Sequence, residues 1–177
     1  YYMGDYKKAE VYWLQSKNIK AKALSKEHPE YAKSLNNLAM LYQDLGDYKK
    51  SESLLLQSNN IWKKLHGEEY PEYSRSLNNL AGVYKDMGEL DAAYDYCCKS
   101  IDANCIKIDS NYQFSDFSEL AGFDYYSMSH MRSSFETLLK ILKAQFEQSG
   151  EKEKLKQHYQ LAKAAIQFSE RIRNQLI

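Results

Sequence analysis

Covalent or metal chemistry in this chain would have to come from three cysteines and four histidines. Cys97, Cys98 and Cys105 fall within two turns of a predicted helix, are odd in number, and stand at no metal-ligand spacing to a histidine. They read as packed thiols of a reducing compartment. His28 and His66 lie in or near predicted turns, while His130 and His158 sit on separate C-terminal helices. None has a cysteine or serine beside it in a nucleophile context, so all four read as solvated or packed rings. The chain carries no glycine-rich phosphate loop and no paired-carboxylate pattern. Over this length we expect no catalytic residue, no metal, no cofactor and hence no enzyme.

Binding chemistry is better supplied. The paired amides Asn36-Asn37 and Asn78-Asn79 can donate and accept hydrogen bonds at once, which suits them to hold another chain's backbone. They serve equally well to bridge adjacent helices. Charge names no partner: Lys plus Arg and Asp plus Glu both count 24, so no net field draws the chain to nucleic acid or anionic lipid. The pairs Lys7-Lys8, Lys49-Lys50 and Lys63-Lys64 read as a solvated outer face rather than a phosphate site. Tyrosine is abundant, at 16 residues, but at helical spacing it fills gaps between helices more readily than it stacks bases. No apolar run approaches the ~18 residues of a membrane span, and no charged-then-apolar signal segment opens the chain. A cytoplasmic location is expected, without membrane or direct nucleic-acid partners.

Those amides are placed by a repeat. Gly4-Asp5-Tyr6-Lys7-Lys8-Ala9-Glu10 returns as Gly46-Asp47-Tyr48-Lys49-Lys50-Ser51-Glu52 and again as Gly88-Glu89-Leu90-Asp91-Ala92-Ala93, and 46 − 4 and 88 − 46 are both 42. The phrase from Pro29 to Ala39 recurs from Pro71 to Ala81 at the same step. Each unit parses as two helices. Pro29 and Pro71 suit a first helical turn, where the missing N–H has no intrahelical partner. Leu35, Leu38, Ala39 and Tyr42, and likewise Leu77, Leu80, Ala81 and Tyr84, follow the i, i+3, i+4, i+7 spacing of a single buried stripe. Gly46 and Gly88 stop those helices in a left-handed backbone, and Asp47 and Glu89 are placed to cap or favour the next one. In the second helix Ala9, Ser51 and Ala93, then Ser16, Ser58 and Ser100, are small where neighbours approach closely, while Trp13, Leu55 and Cys97 fill the space between. One such pair cannot cover its own apolar stripe, so the fold class is all-α, a solenoid of stacked antiparallel helix pairs.

Leu-Asn-Asn-Leu-Ala-x-x-Tyr followed by Gly-Asp-Tyr and a small residue resembles the tetratricopeptide repeat, in the 42-residue variety of kinesin light chains and many bacterial repeat proteins. The usual unit is ~34 residues, so about one extra turn per helix is implied. The resemblance covers residues 1–108. It implies that the first helix of each pair lines the concave side of a right-handed superhelix, and that Asn37 and Asn79 stand where related repeats hold a peptide backbone. The expected binding face is Lys33, Asn36, Asn37, Met40, Gln43 and Asp44 on one helix, repeated by Arg75, Asn78, Asn79, Gly82, Lys85 and Asp86 on the next. Lys33, Arg75 and Lys85 add attraction for acidic groups, which Asp44 and Asp86 offset. Gly82 replaces Met40 and either opens a notch in the groove wall or is a tolerated helix glycine. The partner is a protein or peptide, which includes the case of another domain of the same parent chain.

Beyond Ile108 the rule breaks. Gln113 stands one period after Pro71, and residues 109–128 read as an irregular insert or short helix. Residues 129–177 read as a degenerate helix pair, the first carrying Met131, Phe135, Leu138, Leu142 and Phe146, the second Leu155, Tyr159, Ala162, Ala165 and Ile172. Since 150 − 88 is 62, the glycine spacing implies an insertion of 20 over one period. The phrase from Glu136 to Gly150, running on to Arg173, also resembles the segment that joins such repeats to a caspase-like CHAT peptidase domain in bacterial proteins. That implies a regulatory region of a larger effector as the alternative function. Both chain ends are expected to be cut edges: Tyr1 to Gly4 reads as the last turn of an earlier helix, and Ile177 closes a helix without a stop signal.

Overall fold

The structure, a computed structural model, describes residues 3–105 and 125–149. Six α-helices follow one another: α1 Met3–Ala23, α2 Pro29–Asp44, α3 Tyr48–His66, α4 Pro71–Met87, α5 Leu90–Cys105 and α6 Tyr125–Ser149. Each packs antiparallel on the next where a short turn joins them, and the all-α solenoid expected from the repeat is the fold observed. The insert up to residue 124 and the second C-terminal helix expected within 151–177 lie outside the described residues.

The turns follow from the repeat phrase. Pro29 and Pro71 each open a helix at its first position. At the end of α2 the Gly46 N–H donates to the Gln43 carbonyl and the Asp47 N–H to that of Tyr42; at the end of α4 the Gly88 and Glu89 N–H groups donate likewise to Lys85 and Tyr84. This paired closure requires a left-handed residue, and Gly46 and Gly88 supply it with φ of +78° and +82°. The Asp47 carboxylate then caps α3 by accepting from the Lys50 N–H at 3.3 Å. Gly4 departs from the expectation. It lies inside the first turn of α1 rather than in a turn between helices, which glycine permits because it takes a right-handed backbone as readily as a left-handed one.

One period before Gly67, whose φ is +82°, stands Ser25 with a φ of +95°. A side chain in that region costs on the order of 1 kcal/mol, against which Ser25 recovers one contact, its hydroxyl accepting from the Glu27 N–H at 3.3 Å. Ser25→Gly is therefore expected to raise the unfolding free energy by about 1 kcal/mol. A urea midpoint that stays put or falls would show that the hydroxyl contact outweighs the strain.

The core is assembled from the predicted stripes, with Leu35, Leu38 and Ala39 of α2 and Leu77, Leu80 and Ala81 of α4 all buried. Where helices cross closely, buried serines replace larger residues and spend their hydroxyls on a neighbour's backbone. Ser58 donates to the Ala32 carbonyl at 2.9 Å, and one period later Ser100 donates to that of Ser74 at 2.9 Å. The buried residues of α6 keep the same phase, since Ser134, Phe135 and Leu138 stand where Ser76, Leu77 and Leu80 stand in α4. The step from Leu77 to Phe135 is 58, so the insertion measures 58 − 42, or 16 residues. The glycine spacing overstates it because α6 has 25 residues against 17 in α4.

The stack has two unlike sides. Helix α2 lies against α4 and α4 against α6, whereas among the described residues α1, α3 and α5 make no contact with one another. Helices that touch on one side and splay on the other define a curve. The α2, α4 and α6 side is concave and the α1, α3 and α5 side convex.

Candidate functional site

The expected binding residues all fall on α2 and α4, the helices of the concave side, and the structure divides them into two groups. In the first group the side chains join one helix to the next. The Asn79 Nδ2 donates to the Asn36 Oδ1 at 2.9 Å, and the Gln43 Nε2 donates to the Asp86 Oδ2 at 2.6 Å. Both links step 43 residues, one period plus one, so positions one apart in the repeat meet across neighbouring helices. The Asn78 Nδ2 continues the series to α6, donating to the Ser133 Oγ at 3.1 Å. Lys85 closes on Asp86 beside it at 2.5 Å. Lys85 stays within α4, whereas Asn36, Gln43, Asn78, Asn79 and Asp86 bridge helices, so the bridging reading of the amide pairs applies to Asn36, Asn78 and Asn79.

In the second group the side chains face outward. Asn37, Met40, Asp44 and Arg75 are exposed. Lys33 is exposed as well, its ammonium donating to the Glu30 Oε1 at 2.9 Å. That hydrogen bond holds the Lys33 ammonium above the usual lysine range and the Glu30 carboxyl below the usual carboxylate range, where Lys20 reinforces it. Gly82 opens no free notch, since the Gln43 amide nitrogen lies 3.5 Å from where a side chain at that position would begin.

Two acceptors of the linking group are buried with no hydrogen-bond donor among the described residues: the Gln43 Oε1 and the Asn78 Oδ1. A buried acceptor left unpaired costs about 1–3 kcal/mol, and both of these lie on the same concave side.

Elsewhere the reactive side chains are packed away. Cys97 is buried, its thiol donating to the Ser134 carbonyl at 3.1 Å, and burial pushes its pKa far above the ordinary thiol range. Cys98 is half-buried and shifted upward by the same cause, so neither is poised as a thiolate. His28 has a role that its sequence position did not disclose: its Nδ1 accepts from the Glu30 N–H at 3.1 Å and caps α2. His66 is stacked on Tyr70, ring centroids 4.2 Å apart. The side chains of Cys105, His130 and His158 lie outside the described residues. Among the described residues no group of three or more His, Cys, Asp or Glu is placed to hold a metal ion, and no helix is long and apolar enough to cross a membrane.

The family model of the tetratricopeptide repeat matches the chain twice, over residues 1–58 and 32–104. Among solved structures, BtubC (BKLC) from P. vanneervenii is similar in fold, with a TM-score of 0.67 and 21% identity; the match covers 98% of this chain and 58% of BtubC. A Podosopora anserina kinesin light chain protein with nearly identical TPR-like repeats matches with a TM-score of 0.56 and 20% identity, over 92% of this chain and 87% of that one. A point variant of that protein matches with a TM-score of 0.55 and 22% identity, over 97% of this chain and 85% of the variant. No curated protein matches in sequence. The chain thus spans just over half the length of BtubC.

Proposed function

The chain belongs to the tetratricopeptide repeat family, whose repeats generally mediate protein–protein interaction, and from that premise we propose that it is a scaffold seating a partner protein or peptide along the concave face of α2, α4 and α6. The observation that carries this reading is the division of labour on that face. Asn36, Gln43, Asn78 and Asn79 spend their amides tying the helices into one surface, and Asn37, Met40, Asp44 and Arg75 are left exposed upon it. A partner's backbone offers the matched donors and acceptors that an exposed asparagine reads, and Met40 adds an adaptable apolar contact. Free Cys97 and Cys98 fit a cytoplasmic setting for this interaction.

The linking and facing residues should separate in experiment. Asn37→Ala removes an exposed amide and is expected to weaken partner binding by roughly 5- to 10-fold, with the thermal melt unchanged. Asn79→Ala breaks the link to Asn36 and is expected to lower stability by about 1 kcal/mol as well. A photo-crosslinking residue at position 37 should capture a partner that the same residue at Lys49, outside the predicted face, does not. Equal capture from both positions, or an Asn37→Ala affinity equal to that of the unaltered chain, would remove the concave-face reading.

A further inference from the structure

The start of α2 is held by a contact that a proton can abolish. Pro29 opens the helix without an N–H, so the Glu30 N–H is its first backbone donor and has no intrahelical carbonyl to bond. His28 supplies the acceptor. Its Nδ1 lies 3.1 Å from the Glu30 nitrogen, and its carbonyl accepts from the Tyr31 and Ala32 N–H groups at 2.9 and 3.2 Å. A ring that accepts at Nδ1 is a neutral imidazole with its proton on Nε2. The neighbouring helices start differently. Asp47 caps α3 with a carboxylate, held below the usual carboxylate range by the Lys50 ammonium, so it still accepts in mild acid. Tyr70, one period after His28, opens α4 with no side-chain cap.

We propose that the His28 cap is a pH-sensitive latch on α2, closed by the neutral imidazole and released when the ring takes up a proton. An imidazolium donates from both nitrogens and accepts at neither, so its Nδ1–H would meet the Glu30 N–H donor to donor. It would also bring positive charge to the positive end of the helix dipole. The carboxylates on either side of His28 in the chain are already engaged by cations from three helices. Glu30 is paired with Lys33 of α2 at 2.9 Å and with Lys20 of α1 at 3.3 Å, while Glu27 lies 3.8 Å from Lys64 of α3. The charge of Glu72 on α4 acts on Lys33. Protonation therefore costs the folded chain a bond that the unfolded chain does not have to lose. The stability contributed by the cap is complete above the ordinary histidine range, about pH 6.5, and declines as pH falls through it. What loosens is the first turn of α2, which sends Tyr31 and Ala32 into the Trp62 cluster and carries Lys33 on the concave side.

The test compares urea unfolding of the full chain with that of His28→Asn, whose amide caps at any pH, and of His28→Ala, which caps at none. Every other titrating group is common to the three chains, so their differences report position 28 alone. At pH 8 the unaltered chain should match His28→Asn and exceed His28→Ala. At pH 5 it should fall to the level of His28→Ala, a loss of about fivefold in the folding equilibrium constant relative to His28→Asn. Backbone amide NMR gives the local readout: the Glu30 amide should shift along with the titration of the His28 ring, and the Glu72 amide, which has no side-chain cap to lose, should not. A gap to His28→Asn that is the same at pH 8 and pH 5, a gain on that variant in acid, or a Glu30 amide that ignores the ring would each overturn the proposal.

Discussion

Replacing Trp62 by alanine is expected to lower the unfolding free energy by about 3–5 kcal/mol, the largest loss from any single truncation among the described residues. Trp62 is only 2% exposed and is the largest fully buried side chain among the described residues. Its cluster includes Tyr31, Ala32 and Leu35 of α2 and Ile61 of its own helix, with Ala21 of α1 and Tyr73 of α4 packed against it, so the cluster draws on four helices. It also faces the rings of Tyr70 and His66, with centroids 5.4 and 6.0 Å away. Natural domains hold only about 5–15 kcal/mol in reserve, and a loss of this size takes a large part of it. The damage should also be local in a solenoid, where stability is a sum over neighbouring layers. Far-UV circular dichroism in urea should therefore show a lower midpoint and a shallower slope, as α1 and α2 melt ahead of the rest. An unmoved midpoint would mean that Trp62 is not the tie between layers that its burial indicates.

Ser100→Leu should come next, at about 2–5 kcal/mol, through two separable causes. Ser100 is fully buried where three helices meet: its hydroxyl donates to the Ser74 carbonyl at 2.9 Å and lies 2.8 Å from the Ser134 hydroxyl of α6. Leucine would drive those helices apart and leave the Ser134 hydroxyl short of a partner. Ser100→Ala isolates the hydrogen-bond part, expected at about 1–2 kcal/mol, since its volume fits. The difference between the two variants measures how tightly α4, α5 and α6 are packed. Equal denaturation midpoints would show that the crossing can relax and that close approach is not what selects serine there.

Most of the fold was legible because its causes are local and repeat. Pro29 and Pro71 act through a missing N–H, Gly46 and Gly88 through a backbone that other residues avoid, and the Leu35 and Leu77 stripes through a helical period of about 3.6. None of these needs a distant neighbour to be understood. The concave face was legible as a surface but not in its bonding, because an exposed asparagine and a bridging asparagine have the same sequence signature. Asn36 and Asn79 pair at 43 residues rather than 42, so the bond joins positions that the repeat itself does not align. His28 gave no signal as a cap, since its place one residue before a proline is equally that of a turn.

The contrast between touching inner helices and splayed outer ones has a mechanical meaning. Contact between the inner helices and the Asn36–Asn79 and Gln43–Asp86 bonds tie the inner row together, so flexing of the solenoid is expected to fall mainly on the outer row. Bending then changes the distance between α3 and α5 and hardly alters the spacing along α2, α4 and α6. The inner row is a ruler whose gradations stay fixed under load. The outer row is a bellows.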